Sequence, residues 1–578
     1  MNSPAEIVTR ALARAKRNRE KYNNPTDMER ILTLPAQDFS ARTDLQAKWT
    51  NLLTRGGHDF GLRRVQAEFL EECSWAAEQE DPIGALGHVG VGKGKTLTFW
   101  LVPGIFKAKR PVLLLPPDMR DQYADDLFEW SQRYHFVPPI VVYYSQLSRP
   151  EGTSLLEELN PDLIMADEAH MLRHATSART KRFLRYMAKH PKTRFVAMSG
   201  TLTGSTLSDY AHLSYLALRQ YSPLPHDERN IDLWGTVLNA EGEPDNKAWQ
   251  ALTPLSPKGA PAKNVSLVRK DFNLRFRTAP GAVSTRTSSC DARLELTAAY
   301  PQLSASTKDT MATVREDWEL PNGDKIVDAL HFYRAMSQLS SGFYYVWDWP
   351  NDEPDKDWLY ARREWWSWCR WYLTRFAREG CDSPYLVEKW LRNNNGTAAK
   401  EGKKFLERWD AEKSKDPPPT RPIWVDTAVV TSAVKWANSR DRGFVWYGSR
   451  AMGDMLDAWG VPTFGVGDGA PNPDQHPVAA LSIPIYHKGR NFQPWADQLI
   501  IDPMSSAITW QQLLGRTHRN GQRSGVVKAT VNQHTWYLRQ AYRRATARAR
   551  YIQETTGEAQ KLLLSAKQGF LSGEAPTT

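Results

Sequence analysis

The sequence has few cysteines, no long apolar run and no internal repeat. Its four cysteines are spread over 578 residues and lack the paired spacing of a zinc site, so we expect reduced, buried thiols. No stretch approaches the roughly 18 apolar residues that a membrane helix needs, and no apolar signal-peptide segment follows the N-terminus. These absences predict a cytoplasmic protein without a membrane span. The cysteines are Cys73, Cys290, Cys369 and Cys381.

The composition is that of a globular protein with an excess of positive charge. A chain of 578 residues with 41% apolar content is long enough for several domains, each with its own core. The formal net charge is +10. Such a balance favours a polyanionic partner but does not identify one.

Residues 87–96 are the most informative stretch and read GHVGVGKGKT. They follow an apolar run and precede a stretch that can open a helix, so their backbone N–H groups can close around a phosphate. Lys95 is predicted to reach the β- and γ-phosphates, and the Thr96 hydroxyl to ligate Mg²⁺. Taken alone, the motif also allows a glycine-rich turn with a surface lysine, because Val89 stands where the consensus has glycine. The predicted phosphate contacts are Gly90, Val91, Gly92, Lys93, Gly94, Lys95 and Thr96.

After this loop, short apolar runs alternate with stretches long enough for crossover helices. The runs cover residues 111–116, 140–143, 163–166 and 195–198. Continuous apolar runs of this length are typical of strands covered on both faces, and they predict a parallel α/β lobe.

Two acids follow the third run, where a parallel sheet places its ligands. Asp167 is predicted to hold Mg²⁺, and Glu168 to orient and deprotonate the water that attacks the γ-phosphate. The alternative is that both acids cap the next helix. Ser199 and Thr201 end the fourth run, where they either relay the nucleotide state or cap a helix. Gln66, on a predicted helix before the loop, is a candidate sensor of the adenine edge.

The second half repeats the buried-strand pattern at residues 443–447, 479–483, 498–502 and 526–531, which predicts a second α/β lobe. Between its last two strands lie Arg516 and Arg519. Two guanidiniums three residues apart lie on one helical face and can fork onto phosphate oxygens. An arginine finger of this kind stabilises the charge on a transferring phosphoryl group.

The remaining segments are less informative. Residues 216–420 are expected to form a helical, aromatic-rich insertion in which Trp365, Cys369, Tyr372 and Phe376 fall at helical spacing. That spacing favours a core stripe over a base-stacking surface. Basic helices are predicted near both ends, at residues 1–24 and 537–551, and each is either a phosphate-tracking surface or a solvated helix. The predicted domains are 1–55, 56–215, 216–420, 421–535 and 536–578.

These motifs together resemble superfamily-two helicases and translocases. Residues 87–96, 115–117, 167–170 and 199–201 correspond to motifs I, Ia, II and III, and motif II spells DEAH. Residues 62–66 and 199–207 resemble the Swi/Snf-type branch, which has a comparable Gln motif and a Thr-Gly-Thr-Pro segment followed by Ser-Leu. The family's QxxGRxxR motif VI is matched by Gln512, Gly515, Arg516 and Arg519.

The resemblance implies two tandem RecA-like lobes that bind ATP and Mg²⁺ and close on the nucleotide. It places Gly489 and Asn491 in motif V, near the nucleotide. It also implies that His170, Ser199, Thr201 and Gln512 couple nucleotide state to movement, and that Pro116 and Pro117 contact nucleic acid. Lys488 and Arg490 form a basic loop that either touches the nucleic-acid backbone or is a solvated turn.

The expected function is therefore ATP-driven movement along DNA, with duplex favoured, single strands possible and RNA less favoured. Three alternatives remain at this point. One is a DEAH-type helicase acting on RNA or forked DNA. The others are a packaging-type ATPase, which would carry a nuclease domain in its second half, and a nucleotide-gated DNA clamp with negligible turnover.

Overall fold

The computed structural model describes residues 27–55, 61–90, 93–255, 263–285, 290–350, 353–415 and 418–570. The predicted basic helix at residues 1–24 lies outside these ranges, as do Val91 and Gly92. Within them, no helix is both long and apolar enough to span a bilayer. Of the cysteines, Cys73, Cys369 and Cys381 are buried, and Cys290 is half-buried.

The chain divides into two compact units. The first comprises the described residues within 27–285 and 355–415, together with Tyr551–Glu558. The second comprises those within 290–354 and 418–550, together with the residues from 559 to 570. Each unit is built around a parallel sheet, and about half of the chain is helical. The fold is therefore α/β, as predicted.

The first unit holds a six-stranded sheet in which every pairing is parallel, in the order β3-β2-β4-β5-β1-β6. Its strands are β1 (Ala85–His88), β2 (Pro111–Leu115), β3 (Ile140–Tyr143), β4 (Leu163–Asp167), β5 (Arg194–Ser199) and β6 (Ala282–Ser284). Alternate residues enter two different apolar clusters: Ile164 lies in one and Met165 in the other. Because side chains alternate across a strand, the central strands are covered on both faces, as their continuous apolar runs predicted.

The second unit holds a seven-stranded sheet, also parallel throughout, in the order β11-β12-β10-β13-β14-β7-β15. Its strands are β7 (Arg293–Ala299), β10 (Gly443–Tyr447), β11 (Thr463–Phe464), β12 (Val478–Ser482), β13 (Asp497–Ile500), β14 (Val526–Asn532) and β15 (Ala566–Gln568). A separate antiparallel pair joins β8 (Phe343–Trp347) to β9 (Thr420–Trp424). The four strands predicted for the second half are all present.

Helices fill the connections. Those before residue 290 are Asp27–Leu32, Leu45–Leu53, Arg64–Glu78, Lys95–Ile105, Arg120–Ser131, Tyr144–Ser148, Leu155–Leu159, Ala178–Lys189, Ala211–Leu218, Glu228–Leu238, Asn246–Leu252 and Val265–Thr278. The later ones are Ala305–Asp317, Ala329–Ser340, Lys356–Phe376, Pro384–Asn393, Thr397–Glu412, Ala428–Asn438, Arg450–Ala458, Ile483–Tyr486, Ala507–Thr517, Trp536–Thr556 and Lys561–Leu564. Helices between successive parallel strands are what a parallel sheet requires.

The segment predicted as one helical insertion, residues 216–420, differs from that expectation. Residues 216–285 and 355–415 belong to the first unit, and 290–354 to the second. The segment also supplies β6 and β7, which extend the two sheets. Strand β6 has only three residues. Strand β7 is polar and is held in place by its pairing with β14. Whether such segments become strands depends on their pairing with distant strands, which local periodicity does not report.

The aromatic helix Lys356–Phe376 packs its apolar stripe inward. Trp365, Cys369 and Tyr372 are buried, which confirms the core interpretation, whereas Phe376 is partly exposed. A buried carboxylate, Asp382, follows this helix and receives hydrogen bonds from Arg182 Nε at 2.9 Å and Arg185 Nη1 at 3.0 Å. These bonds anchor residues 355–415 within the first unit.

Candidate functional site

The candidate loop lies between β1 and the helix Lys95–Ile105, at the carboxyl edge of the first sheet. Gly94 caps that helix with φ +83°, a conformation that favours glycine. A Cβ added at Gly94 would lie 2.5 Å from Gln66 Nε2. Gln66 Nε2 donates to the Gly94 carbonyl at 2.9 Å, and Gln66 Oε1 accepts from the Arg63 N–H at 2.7 Å. Gln66 therefore holds the end of the loop through its side chain.

Lys95 points to the acids that follow β4. Its ammonium lies 3.4 Å from Glu168 Oε1 and donates to the Val89 carbonyl at 3.3 Å. Burial alone would lower the pKa of Lys95, but the Glu168, Asp167 and Glu558 carboxylates outweigh it and raise that pKa above its ordinary value. Lys95 is therefore a fixed positive charge at the mouth of the loop.

Asp167 is the last residue of β4, which pairs with β5, and Glu168 follows it. Asp167 is buried, and its Oδ1 accepts from the Glu168 N–H at 2.8 Å. Glu168 has φ +50°, and strained backbone of this kind is concentrated at functional sites. Burial alone would raise the pKa of Glu168, but Lys95 and His170 hold it far below its usual range. Burial raises the pKa of Asp167 to about 7 against the opposing effect of Lys95. The charge of Lys95 thus acts on both carboxylates.

Three predicted coupling residues form one network with Glu168. The Ser199 hydroxyl donates to Glu168 Oε2 at 3.2 Å. His170 Nδ1 lies 3.1 Å from Ser199 Oγ and 3.2 Å from the same Glu168 oxygen. The backbone N–H of Thr201 donates to Ser199 Oγ at 3.1 Å. A change at the Glu168 carboxylate therefore reaches the segment after β5 through direct hydrogen bonds.

The sequence alone did not reveal two other residues, Thr285 and Glu558, that border this loop. Thr285, just beyond β6, accepts from the Gly90 N–H at 3.0 Å. Glu558 is buried with one carboxylate oxygen, Oε2, 3.5 Å from Nδ1 of the fully buried His88. The other oxygen would lie 3.3 Å from a Cβ at Gly90. Burial, and next the charge of Lys95, lower the pKa of His88 to about 3, so this imidazole is neutral.

The other predicted site residues of the first unit differ in their exposure to solvent. Lys93 and Thr96 are half-buried, and Thr96 is in the first turn of the helix. Pro117 is exposed, but Pro116 is buried at the end of β2. Pro116 is thus buried directly after an apolar strand, and its contact with a nucleic acid stays a prediction.

The second unit brings together the segments predicted as motifs V and VI. Arg516 Nη1 donates to the Arg490 carbonyl at 2.6 Å, and the Phe492 N–H donates to the Arg516 carbonyl at 3.0 Å. Arg519 Nη1 donates to the Asn491 side-chain oxygen. The loop thus positions both guanidiniums. Gly489 has φ +74°, Arg490 and Asn491 are exposed, Lys488 is half-buried and Gln512 is buried.

The two arginines do not share a helical face, contrary to the prediction. The helix Ala507–Thr517 ends before Arg519. His518 stops it: Lys561 Nζ donates to the His518 carbonyl at 2.8 Å, and His518 Nε2 lies 2.7 Å from the Ala292 carbonyl. A turn with Gly521 at φ +88° follows. Arg516 is therefore a buried helical residue, and Arg519 belongs to the turn.

The chemistry of the candidate-site residues in the first unit suits a nucleotide with its metal ion. Gln66 and Thr285 fix the described ends of a glycine-rich turn at a helix N-terminus, and Lys95 supplies charge for a phosphate. Thr96 and Asp167 are oxygen donors of the kind that Mg²⁺ prefers. No group of three or more His, Cys, Asp or Glu side chains within the described ranges is arranged to hold a metal. A magnesium ion here would thus depend on few protein ligands together with the phosphates.

A scan of known protein families and a search of curated proteins both return no match for this chain.

Proposed function

We propose that this protein is a nucleic-acid-dependent ATPase that moves along DNA, with duplex favoured. In this proposal both parallel-sheet units are RecA-like lobes. The proposal depends chiefly on the convergence of Lys95, Glu168 and Asp167 at one sheet edge, beside a turn that Gln66 and Thr285 hold.

Each residue then has a defined task. Lys95 binds the terminal phosphates as a fixed cation. Glu168, ionised and held by Ser199 and His170, orients the attacking water. It accepts the proton of that water once phosphate engages Lys95, whose charge otherwise keeps the pKa of Glu168 low. Thr96 and Asp167 would hold Mg²⁺, which when bound would supply positive charge against the charge that develops on the phosphate.

Movement needs a response to the nucleotide, and the Glu168 network offers one. Ser199 bonds both Glu168 and the backbone of Thr201, so altered charge at Glu168 changes the hydrogen bonding after β5. Arg516 and Arg519, positioned by the motif V loop, would stabilise the transferred phosphoryl group during turnover. The net charge of +10 favours binding to a polyanion such as DNA.

The direct test is ATP hydrolysis by the full chain with duplex DNA, single-stranded DNA or RNA. We expect stimulation that is largest with duplex DNA. Stimulation by RNA alone would contradict this preference and support the DEAH-type RNA helicase.

Three substitutions separate the roles. We expect Lys95→Ala, Glu168→Gln and Arg519→Ala each to abolish stimulated hydrolysis, with ATP binding retained in Glu168→Gln. The matched controls are Lys192→Ala, Glu151→Gln and Arg523→Ala, which alter exposed side chains of the same types. Unaltered ATP consumption in Glu168→Gln would instead favour the nucleotide-gated clamp.

A further inference from the structure

A basic pocket lies in the second unit, away from motifs V and VI in the sequence. It has a volume of about 280 Å³ and is formed by one face of the helix Trp536–Thr556 and by the segment around β15. Its cationic residues are Arg539, Arg543, Arg550 and Lys567, and its aromatic residues are Tyr542 and Phe570.

The pocket gathers positive charge without a compensating carboxylate. Arg539, Arg543 and Arg550 are four and seven residues apart, which places them on one helical face. Lys567 comes from β15, at the edge of the sheet. No acidic residue lines the pocket, and none of the four cations forms a salt bridge within the part of the chain that the structure describes.

The surroundings of Lys567 disfavour its positive charge. Burial, and next the charge of Arg550, lower the pKa of Lys567. Arg539 Nη1 donates to the Gln533 carbonyl at 3.0 Å, which holds that guanidinium at the pocket. An anion among these cations would relieve their repulsion and gain charge-assisted hydrogen bonds.

The aromatic residues give the pocket an ordered wall. The rings of Tyr542 and Phe570 stack with centroids 4.7 Å apart and planes at 24°. Lys567 Nζ lies 5.8 Å from the Tyr542 ring centroid. A volume of about 280 Å³ is slightly below the roughly 300 Å³ at which pockets for drug-sized ligands begin. The space therefore suits a phosphate group with its sugar better than a whole dinucleotide.

We propose that this pocket binds a backbone phosphate of the nucleic acid, and so forms a contact outside the helicase-type motifs. The proposal rests on the proposed function for its source of phosphate. Free pyrophosphate offers the same chemistry, and the experiment distinguishes the two sources.

The test compares Arg543→Ala and Lys567→Ala with the control Arg544→Ala. Arg544 is exposed, is absent from the pocket and lies over the Tyr333 ring at 5.0 Å, so its removal changes net charge equally. Binding of a fluorescent DNA duplex by each full-length protein is measured by anisotropy from low to moderate KCl. We expect each pocket variant to bind about 3- to 10-fold more weakly than the control, with a salt slope lower by about one.

A conservative variant and thermal melts guard against misfolding. Arg543→Lys keeps the charge and is expected to recover most of the affinity that Arg543→Ala loses. DNA binding by both pocket variants equal to that of Arg544→Ala would overturn the pocket proposal and leave the proposed function standing.

Pyrophosphate titrations followed by ³¹P NMR separate the sources. We expect pyrophosphate to compete with the duplex in the unmodified protein, and this competition to weaken in Lys567→Ala. Pyrophosphate binding that depends on Lys567, in a protein that binds no DNA, would overturn the backbone assignment. The proposed movement along DNA would then be wrong, whereas the assignment of an anion-binding pocket would remain.

Discussion

The side-chain amide of Gln66 donates to the carbonyl of Gly94, 2.9 Å away, where the chain turns into the helix of Lys95. Its amide oxygen accepts from the Arg63 N–H, so this one side chain joins the start of its own helix to the end of the candidate phosphate loop. Gln66 thereby acts on the shape of the loop, whereas the sequence suggested a reader of the adenine edge. Both amide groups that an adenine edge would engage, Nε2 and Oε1, already have protein partners.

Removal of the Gln66 donor is expected to weaken nucleotide binding. Gln66→Glu keeps the size and the acceptor but cannot donate to the Gly94 carbonyl when ionised, and it adds negative charge at the loop. We expect the Kd for ATP to rise about 10-fold or more, equivalent to roughly 1.4 kcal/mol. Titration with a fluorescent ATP analogue measures it. Gln79→Glu, at the other end of the helix, is the control, and equal affinity of both variants would contradict the role of Gln66.

The Glu558 carboxylate is expected to oppose nucleotide binding. It is buried beside Gly90 and His88, and it contributes to the raised pKa of Lys95. Because a carboxylate near the loop repels a triphosphate, Glu558→Gln should tighten ATP binding by about 3- to 30-fold, equivalent to roughly 0.7–2 kcal/mol. Isothermal titration calorimetry measures this change. Glu407→Gln, an exposed substitution, should have no effect; weaker binding in Glu558→Gln would show that the carboxylate supports the site.

Glu72 is expected to make stability fall as pH rises. This buried carboxyl accepts from the Gly281 N–H at 2.5 Å, and burial raises its pKa to about 7. The folded state therefore binds this proton more tightly than the unfolded chain, whose pKa is about 4.3. The stabilisation is full below the unfolded pKa and is lost as pH rises through about 7.

Glu72→Gln keeps an acceptor for Gly281 and does not titrate. The variant should unfold with a flatter pH profile between about pH 5 and 7.5, and it should be more stable than the unmodified protein at pH 8, by at most about 4 kcal/mol. Urea denaturation at several pH values measures both effects. Glu78→Gln, exposed at the end of the same helix, should follow the unmodified profile. A pH profile unchanged by Glu72→Gln would refute the assignment.

Loss of Asp382 should destabilise the first unit strongly. Its carboxylate is buried and bonded to Arg182, Arg185 and the Thr153 hydroxyl. Asp382→Ala leaves the Arg182 guanidinium buried without its partner, which typically costs about 3–5 kcal/mol. Thermal denaturation should show a lower Tm.

An exposed ion pair gives the comparison for Asp382. Asp348 pairs with Arg421 at 3.1 Å, and both side chains are about half exposed. Asp348→Ala should therefore cost less than about 1 kcal/mol. Equal losses in the two variants would show that the Asp382 pair does not anchor the helices of residues 355–415.

The sequence by itself determined the two parallel α/β sheets, because uninterrupted runs of apolar residues have no stable place except between two covering layers. Residues 163–166 and 443–447 needed no tertiary information to be identified as strands. The positions of Lys95 and Asp167 at the carboxyl edge of one sheet followed from connectivity, since parallel strands place their ends together.

Only the tertiary structure decided the rest. Strands β6 and β7 are specified by neighbours distant in the chain, and Arg519 leaves its helix because His518 is held by Ala292 and Lys561. Glu558, about 470 residues beyond His88 in the chain, borders the same loop although no local pattern marks it. Local sequence fixes which residues must be buried, whereas long-range packing selects the partners, so contacts between distant segments cannot be predicted from periodicity or spacing.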